Sequence, residues 1–400
     1  MNALRPIARH MVAITLAING FQPIAARADT PSGDIDLTAA RWEANGSLSF
    51  ATDSQHPHGI MTVRHGGAIL KGVTFGNGTI EYDIEESDDN QQVDGIWFRQ
   101  KRSDSAEGFY LRPMPICPNS VECLQYAPVS HGQVQWEMYP QFEAGAPVHP
   151  SGWNHVKLVI SGQRMDVFVN GQSQPALQVG QLAGDAADGA IQFRGDASYA
   201  NLRILPDAVA ALASAATMDP TATDGRYVRH WQLSPVSTLE RGAVPSTSSM
   251  PGGAAGWESI DAERGGFVNI ARHHGNTEGA PDLAWLKTTI VSDRARTRHV
   301  RLGWGHEVWI YVGGKLVFAD RNVYYPASGR KPPMGRLALE NGAFDLPLKA
   351  GPNEVTMAIS DDLGSKRHYG WGFEMRLDDI DGLVLQAATS TGMMANPDGM

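Results

Sequence analysis

Three carboxylates at alternate positions are the residues of this chain best placed for acid–base chemistry. They are Glu81, Asp83 and Glu85, in the run GTIEYDIEE. Side chains at i, i+2 and i+4 of a strand point to the same face, about 7 Å apart per two residues. Neighbouring carboxylates at this spacing can divide into a protonated acid and an ionised nucleophile. The run also fits an ordinary strand whose core face is Ile80, Tyr82 and Ile84, so both interpretations stay open.

A second set of residues, between positions 95 and 139, favours ligand binding. The runs GIWFRQ, EGFYLRP, LQYAPV and GQVQWEMY alternate with a period of two, which indicates half-buried strands. The predicted inner face is Ile96, Phe98, Phe109, Leu111, Leu124, Tyr126, Val134 and Trp136. The opposite face, the predicted ligand face, carries Trp97, Arg99, Tyr110, Arg112, Gln125, Gln135 and Glu137. Aromatic planes, guanidinium groups and amides recognise sugar rings and hydroxyls. The alternative is an arginine–carboxylate pair under a loop, with Glu137 or Asp83 as partner.

The only two cysteines, Cys117 and Cys123, lie six positions apart in PICPNSVEC. In an exported chain, an isolated pair this close predicts a disulfide that closes a loop. The alternative, a pair of metal ligands, lacks the other two ligands that a tetrahedral site needs.

An acidic turn follows the carboxylate strand and offers oxygen ligands for calcium. Its residues are Glu85, Glu86, Asp88, Asp89, Asn90 and Asp94. The turn lacks EF-hand spacing, and charged turns are commonly only solvated, so calcium is the one cofactor that the sequence leaves open. The histidine pairs His56/His58 and His273/His274 have no further ligand at suitable spacing, and no other metal or cofactor is expected.

Composition and length set the class of protein. The chain has 400 residues, 42% of them hydrophobic, and a net charge of −10, so two or three globular domains are expected. Its scattered Lys and Arg form no basic stripe, which argues against nucleic acid as a partner. Residues 1–28 resemble a secretory signal, with an apolar stretch too short to span a bilayer and a small-x-small site at 26–28. We therefore expect a periplasmic or secreted protein without a membrane span.

The pattern along the chain predicts an all-β protein of two β-sandwich (jelly-roll) domains joined by a linker. Short alternating runs with Gly, Asn and Asp turns fill residues 29–205, and Asn170-Gly171 marks a tight turn. Residues 206–224 are rich in Ala, Thr and Pro and are predicted to be the linker. A second β-rich block covers 225–386, with a hairpin at Gly313-Gly314, and 387–400 are expected to be a disordered tail.

Aromatic residues near turns of the second block have two interpretations. Trp304, His306 and Trp371 lie in the glycine-flanked runs GWGH and GWGF, where an aromatic side chain can lie open to a sugar or cover the core. Trp309 alternates with Tyr311 in VWIYV and is predicted to belong to the core.

The runs GTIEYDI, GIWFRQ, FYLRP, LQYAPV, GWNHVKLVISG, MDVFVNG and YANLRI resemble the concanavalin A-like (laminin-G-like) jelly rolls of exported bacterial proteins, in the style of the 3-keto-glycoside hydrolase group. That family implies a sandwich and often a calcium ion. In the related laminarinase-type endoglucanases, a Glu-x-Asp-x-Glu strand implies Glu81 as nucleophile, Asp83 as assistant and Glu85 as acid/base. The second block, through VWIYVGGKLVF, LPLKAGPNEVTMAISD and GWGFEMRL, resembles a galactose-binding-like jelly roll.

Taken together, these features predict a carbohydrate-binding protein that assists glycan degradation, with a glycan or oligosaccharide as its partner. Two alternatives remain. One is a glycoside hydrolase or lyase that acts through the carboxylates of the first sandwich, and the other is a module for protein–protein contacts in the cell envelope.

Overall fold

The computed structural model describes residues 32–86, 94–253, 256–275, 281–362 and 369–386. Within these ranges the regular structure is β-strand and short 3-10 turns, without an α-helix, so the predicted all-β class is confirmed. No helix in the described ranges has the length and apolar character needed to cross a membrane. The predicted signal (1–28), the predicted tail (387–400) and Asp88, Asp89 and Asn90 lie outside the described residues.

Fourteen strands make up the first block. They are β1 (Gly33–Asp34), β2 (Trp42–Ala51), β3 (Ile60–Leu70), β4 (Gly78–Glu86), β5 (Asp94–Arg102), β6 (Ser105–Leu111), β7 (Leu124–Ser130), β8 (Gln133–Val134), β9 (Glu143–Ala144), β10 (Asn154–Ser161), β11 (Arg164–Val169), β12 (Leu177–Val179), β13 (Ala190–Gly195) and β14 (Ala197–Pro206). They form one antiparallel sheet in the order β12-β11-β10-β4-β14-β3-β13-β5-β6-β7-β8, with β1, β2 and β9 attached beside β14, β3 and β7. A sheet of this many strands curls, so its inner faces enclose a core.

The core of the first block follows the alternation in the sequence. On β11, Met165, Val167 and Val169 are buried, whereas the side chains between them are only half-buried. The turn after Val169 has Asn170 and Gly171 at φ 49° and 73°, the left-handed conformation that favours these two residue types. The predicted tight turn is therefore confirmed.

Twelve strands make up the second block. They are β15 (His230–Leu233), β16 (Ser237–Thr238), β17 (Glu258–Asp261), β18 (Phe267–Asn269), β19 (Asp282–Ser292), β20 (Arg296–Trp304), β21 (His306–Val312), β22 (Lys315–Asn322), β23 (Gly342–Leu348), β24 (Gly351–Ser360), β25 (Gly372–Leu377) and β26 (Leu383–Leu385). One sheet has the order β17-β15-β19-β24-β21-β22, with β16 and β26 on β19, and the other has the order β18-β25-β20-β23. A second core cluster lies between them. Gly313 and Gly314, at φ 56° and 79°, form the predicted β21–β22 hairpin turn.

The segment from Pro206 to Asp224, predicted as a linker, bonds to both blocks although most of its side chains are exposed. Its Thr217 amide donates to the carbonyl of Gly180 in the first block at 2.9 Å. The Asp219 carboxylate accepts from the amide of Gly265 in the second block at 3.3 Å. The segment therefore lies against both blocks along its length.

Candidate ligand-binding cleft

The predicted carboxylate triad lies on the outer side of β4. Lys157 Nζ, on the adjacent β10, is 3.5 Å from Glu81 Oε1. His155 Nδ1 is 2.7 Å from Asp83 Oδ1, and Glu85 is half-buried at the end of the strand. The core face of this strand, Ile80, Tyr82 and Ile84, is fully buried, as expected from the alternation. The catalytic role of the triad stays a prediction.

Three residues of the predicted ligand face, Tyr110, Arg112 and Gln125, form a hydrogen-bond network whose partners all belong to the protein. Tyr110 Oη donates to Gln125 Oε1 at 2.7 Å, and Arg112 Nη2 is 3.0 Å from the same oxygen. Gln125 Nε2 donates to the carbonyl of Trp136 at 2.7 Å. Tyr110 and Gln125 are buried, and burial raises the pKa of the Tyr110 phenol well above its usual value. In this conformation, neither Tyr110 nor Gln125 is open to a ligand.

The expected strand through GQVQWEMY is wrong beyond Val134. Only Gln133–Val134 is a strand, and residues Trp136–Met138 form a 3-10 helix. Successive side chains of such a turn point around its axis instead of alternating. The second block then covers them: Gln135 packs against Gly370, and Glu137 Oε2 lies 3.2 Å from His306 Nε2. Gln135 and Glu137 are therefore buried between the blocks, and Trp136 is buried outside the main core.

Trp97 and Arg99, the other two members of the predicted ligand face, have different partners. Trp97 is half-buried under the guanidinium of Arg194, which lies 3.8 Å from its ring centroid. Arg99 has φ 52° and sits in a register irregularity of β5, so its side chain turns inward. Its Nε donates to the carbonyl of Gly76 at 2.9 Å, and the residue is buried. These contacts do not connect either residue to the network around Tyr110.

A buried arginine of the second block completes the contact between the blocks. Arg336 is 2% exposed, and its guanidinium carbon lies 4.7 Å from the ring centroid of Trp136. Its Nη2 is 2.7 Å from Glu122 Oε1, and its Nε is 3.0 Å from Glu143 Oε1. The alternative predicted from the sequence, an ion pair of Glu137 or Asp83 with an arginine of the ligand face, does not form: Glu137 pairs with His306 and Asp83 with His155.

Of the glycine-flanked aromatics of the second block, Trp304 and Trp371 belong to its core, and His306 is buried at the contact with Glu137 of the first block. Trp304, His306 and Trp371 are all fully buried, and Trp309 is 7% exposed. The interpretation of these loops as open sugar platforms is therefore wrong, because the strand ends that carry them are covered by neighbouring strands and by the first block.

Cys117 and Cys123 are bridged, as the sequence predicted. Within the described ranges, no cluster of three or more His, Cys, Asp or Glu side chains is arranged to hold a metal ion. Of the acidic turn, Asp94 is buried and accepts from the amide of Asp196 at 2.9 Å. Burial, then repulsion by Asp94, raises the pKa of Glu86 to about 9. Calcium binding at this turn stays a prediction.

A cleft of about 920 Å³ opens where both blocks and the 206–224 segment meet. The first block contributes residues 138–142, 163–164, 178 and 180–184, and the segment contributes Thr217 and Pro220. The second block contributes residues 263–265, Phe267, Arg272, Leu337 and Glu374. The volume of the cleft is at the upper end of the range typical of small-molecule sites, about 300–1,000 Å³.

The lining of this cleft separates into an apolar part and an amide-rich part. Buried apolar side chains are Met138, Phe142, Leu182, Phe267 and Leu337. The amides are Gln141, Gln163, Gln178 and Gln181, which are exposed or half-buried. Gln178 Nε2 bonds Asp166 Oδ1 at 3.3 Å. The other three amide side chains have no hydrogen-bond partner in the described part of the chain, and they are free to bind a ligand.

An ion pair from the second block borders the cleft. Arg272 Nε is 2.5 Å from Glu263 Oε1, and Tyr139 Oη donates to Glu263 Oε2 at 3.2 Å. Arg272 Nη2 also donates to the carbonyl of Ala183 in the first block at 2.7 Å. The network fixes Glu263 and joins the two walls of the cleft.

The second carboxylate that lines the cleft is Glu374, whose surroundings raise its pKa. It lies on β25, opposite Phe267 of β18 and Gly303 of β20. Burial, then repulsion by Glu340, raises the pKa of Glu374 to about 7. Near neutral pH this side chain is therefore partly protonated and can donate a hydrogen bond.

No sequence pattern points directly to this cleft. Tyr139 and Glu263 are 124 positions apart and meet only through the packing of the blocks. One local pattern does mark its edge: the run SGQRM places Gln163 in the turn between β10 and β11 and Arg164 at the start of β11. Such residues at a strand start are candidates for a binding edge.

Comparison with known proteins finds only low similarity. No family model matches, and no curated protein matches. Among solved structures, the carbohydrate-binding module CBM66 from Bacillus subtilis is 14% identical, with a TM-score of 0.31, over 44% of this chain and 98% of that one. Domain 4 of AbnA, an extracellular arabinanase from Geobacillus stearothermophilus in complex with arabinotriose, is 13% identical, with a TM-score of 0.27, over 44% and 84%. A family 35 carbohydrate-binding module from an environmental isolate is 14% identical, with a TM-score of 0.19, over 28% and 77%.

Proposed function

We propose that this protein binds a glycan in the cleft between its two blocks. The observation that carries the proposal is the lining: unpaired amides stand above a buried apolar floor in a cavity of about 920 Å³. A sugar presents hydroxyls at its edge and C–H groups on its faces. Amides can both donate to and accept from hydroxyls, and apolar side chains such as Phe142 and Phe267 can pack against the C–H groups.

The proposed binding site in the cleft lies apart from the ligand face that the sequence predicts. Tyr110, Gln125 and Glu137 direct their polar atoms to the protein. In contrast, Gln141, Gln163 and Gln181 border open space. A buried polar group that is already paired gains little from a ligand, whereas a partly exposed amide can exchange water for a hydroxyl.

The wider setting is also part of the proposal. We propose that the chain forms two sandwiches, residues 29–205 and 225–386, joined by residues 206–224. All three parts then contribute to the cleft. The Cys117–Cys123 disulfide fits an oxidising compartment. Export through a signal at 1–28, a periplasmic or secreted location and an accessory role in glycan degradation are consistent with such a site.

Glycoside hydrolysis is a second candidate, favoured by the two carboxylates of the cleft. Burial raises the pKa of Glu374 to about 7, so that it can act as an acid near neutral pH, and Glu263, paired with Arg272, is a second carboxylate in the same cleft. Glu374 would protonate the glycosidic oxygen, while Glu263 would take a proton from water as the water oxygen attacks the anomeric carbon. Loss of product formation in Glu374→Gln and in Glu263→Gln, with binding retained, would support this candidate over the triad at Glu81.

The binding proposal is tested on a glycan array with the purified chain. Gln178→Trp places a bulky side chain at an exposed position of the cleft wall, and Ser49→Trp introduces the same side chain at an exposed position of β2. We expect the wild type and Ser49→Trp to bind the same glycans and Gln178→Trp to lose them. Equal binding by all three proteins, or no binding by any, would refute the proposal.

A further inference from the structure

Three arginines line the cleft, and two of them are already neutralised or saturated by the protein. Arg272 pairs with Glu263 and with Asp185. Arg264 Nη2 bonds Thr217 Oγ1 at 2.9 Å and the carbonyl of Met218 at 3.0 Å. The hydrogen bonds and ion pairs of these two side chains hold the cleft walls and the 206–224 segment together.

Arg164 is the exception. It is the first residue of β11, it lines the cleft, and its Nε is buried without a hydrogen-bond partner in the described part of the chain. Within the same ranges it has no ion pair. Asp166, the acidic residue nearest along the strand, is two positions away, about 7 Å, and bonds Gln178 instead. A buried N–H of a charged group is costly when unpaired, so this position favours an acceptor from a ligand.

The charges of the residues that line the cleft also favour an anionic ligand. Arg272 is balanced by Glu263 and by Asp185, which leaves Arg164 and Arg264 with Glu374 as the one other carboxylate that lines the cleft. Arg164 pairs with no carboxylate in the described residues, so its guanidinium is a positive charge of the lining that the protein leaves unpaired. A concave site with low-dielectric walls concentrates the potential of such charges and attracts an anion.

We propose that the cleft selects acidic glycans and that Arg164 binds their anionic group, a carboxylate or a sulfate. The inference rests on the proposed glycan-binding function and adds the ligand class. A guanidinium offers parallel N–H donors that match two oxygens of a carboxylate or a sulfate. The adjacent Gln163 and Gln181, on the same wall of the cleft, can then bind hydroxyls of the same or the next sugar.

The test compares matched ligands by titration calorimetry. Trigalacturonate and its methyl ester share the same sugar backbone, but the ester replaces each charged carboxylate with a neutral methyl ester. Carrageenan oligosaccharides carry sulfate without carboxylate. Neutral oligosaccharides of glucose, xylose and arabinose complete the panel. The proteins are the wild type, Arg164→Gln, Arg164→Lys and the control Arg203→Gln, whose arginine is half-exposed on β14, outside the cleft.

We expect the acidic ligands to bind the wild type at least tenfold more tightly than the esterified or neutral ones. Arg164→Gln should remove that preference, Arg164→Lys should retain part of it, and Arg203→Gln should leave it unchanged. A preference for sulfate over carboxylate, or the reverse, identifies the anionic group. If neutral glycans bind as well as acidic ones and Arg164→Gln has no effect, the ligand class is wrong while glycan binding stands. If no glycan binds, both proposals fail.

Discussion

Arg336 of the second block lies against Glu143 of the first, with Nε 3.0 Å from Oε1 and both side chains almost completely buried. Burial raises the pKa of Glu143 even though Arg336 opposes the rise, so the pair is held in a strongly desolvated position. Removing one partner of a buried ion pair destabilises a protein much more than replacing both partners with apolar residues. The contact therefore couples the blocks that form the two walls of the cleft.

Arg336→Met should destabilise the protein by about 3–5 kcal/mol, because it leaves Glu143 buried and unpaired. Chemical denaturation of the variant and of the wild type measures the difference. The matched control, Arg203→Met, removes a half-exposed arginine whose nearest carboxylate oxygen is 3.9 Å away, and it should change stability by less than about 1 kcal/mol. The double variant Arg336→Met/Glu143→Gln should recover part of the loss. Equal stability of the two arginine variants would contradict a buried coupling.

The disulfide should contribute to the same contact. It closes the loop that carries Glu122, which accepts from Arg336 Nη2 at 2.7 Å. Replacement of Cys117 and Cys123 by serine should lower the free energy of unfolding by about 2 kcal/mol, as expected for a short closed loop. Reduction of the wild type with dithiothreitol should reproduce the effect, and the variant should be insensitive to the reagent. A wild type whose stability does not change on reduction would argue against this role.

Stability should fall as the pH rises through 7, owing to Glu374. Its pKa is raised from 4.5 to about 7, so the native state retains a proton that the unfolded chain releases. This contribution is complete below about pH 4.5 and is lost as the pH passes 7. Glu374→Gln removes the titration and should be more stable than the wild type by roughly 1–3 kcal/mol at pH 8 and similar to it at pH 4.5.

Thermal unfolding across this pH range provides the measurement for Glu374. Glu354→Gln, at an exposed position of β24, is the control and should follow the wild type at every pH. A stability difference between Glu374→Gln and the wild type that stays constant from pH 4.5 to 8 would show that Glu374 does not titrate in this way.

Limited proteolysis should cut within residues 206–224, where most side chains are exposed. Because contacts such as Glu137–His306 and Glu143–Arg336 join the blocks, the two fragments should elute together in gel filtration after cleavage. The same digestion of Arg336→Met should release them. Cleavage spread through either block, without stable fragments, would contradict the proposed division of the chain.

Local pattern predicted much of the fold. The alternation of Met165, Val167 and Val169, the Asn170-Gly171 turn and the Cys117–Cys123 bridge all follow from nearest neighbours in sequence, and all three are confirmed. These features depend on strand period, turn conformation and the short distance between the cysteines. Each can be derived without knowing what packs on the strand from outside.

The site could not be predicted in the same way. The face that carries Tyr110 and Gln125 has the composition of a binding surface, but a second block covers it, and composition alone does not distinguish the two cases. Beyond Val134 the predicted strand becomes a 3-10 turn because Trp136 and Glu137 pack against the second block. The cleft combines Tyr139, Glu263 and Glu374 from distant segments, and only tertiary packing brings them together.

A crystal structure of the protein with a bound acidic oligosaccharide would test the central claim most directly. We expect ordered sugar between Gln163 and Gln181 on one wall and Glu263 on the other, with an anionic group within hydrogen-bond distance of the Arg164 guanidinium. Sugar bound at another surface, with the cleft between the blocks holding only water, would contradict the account.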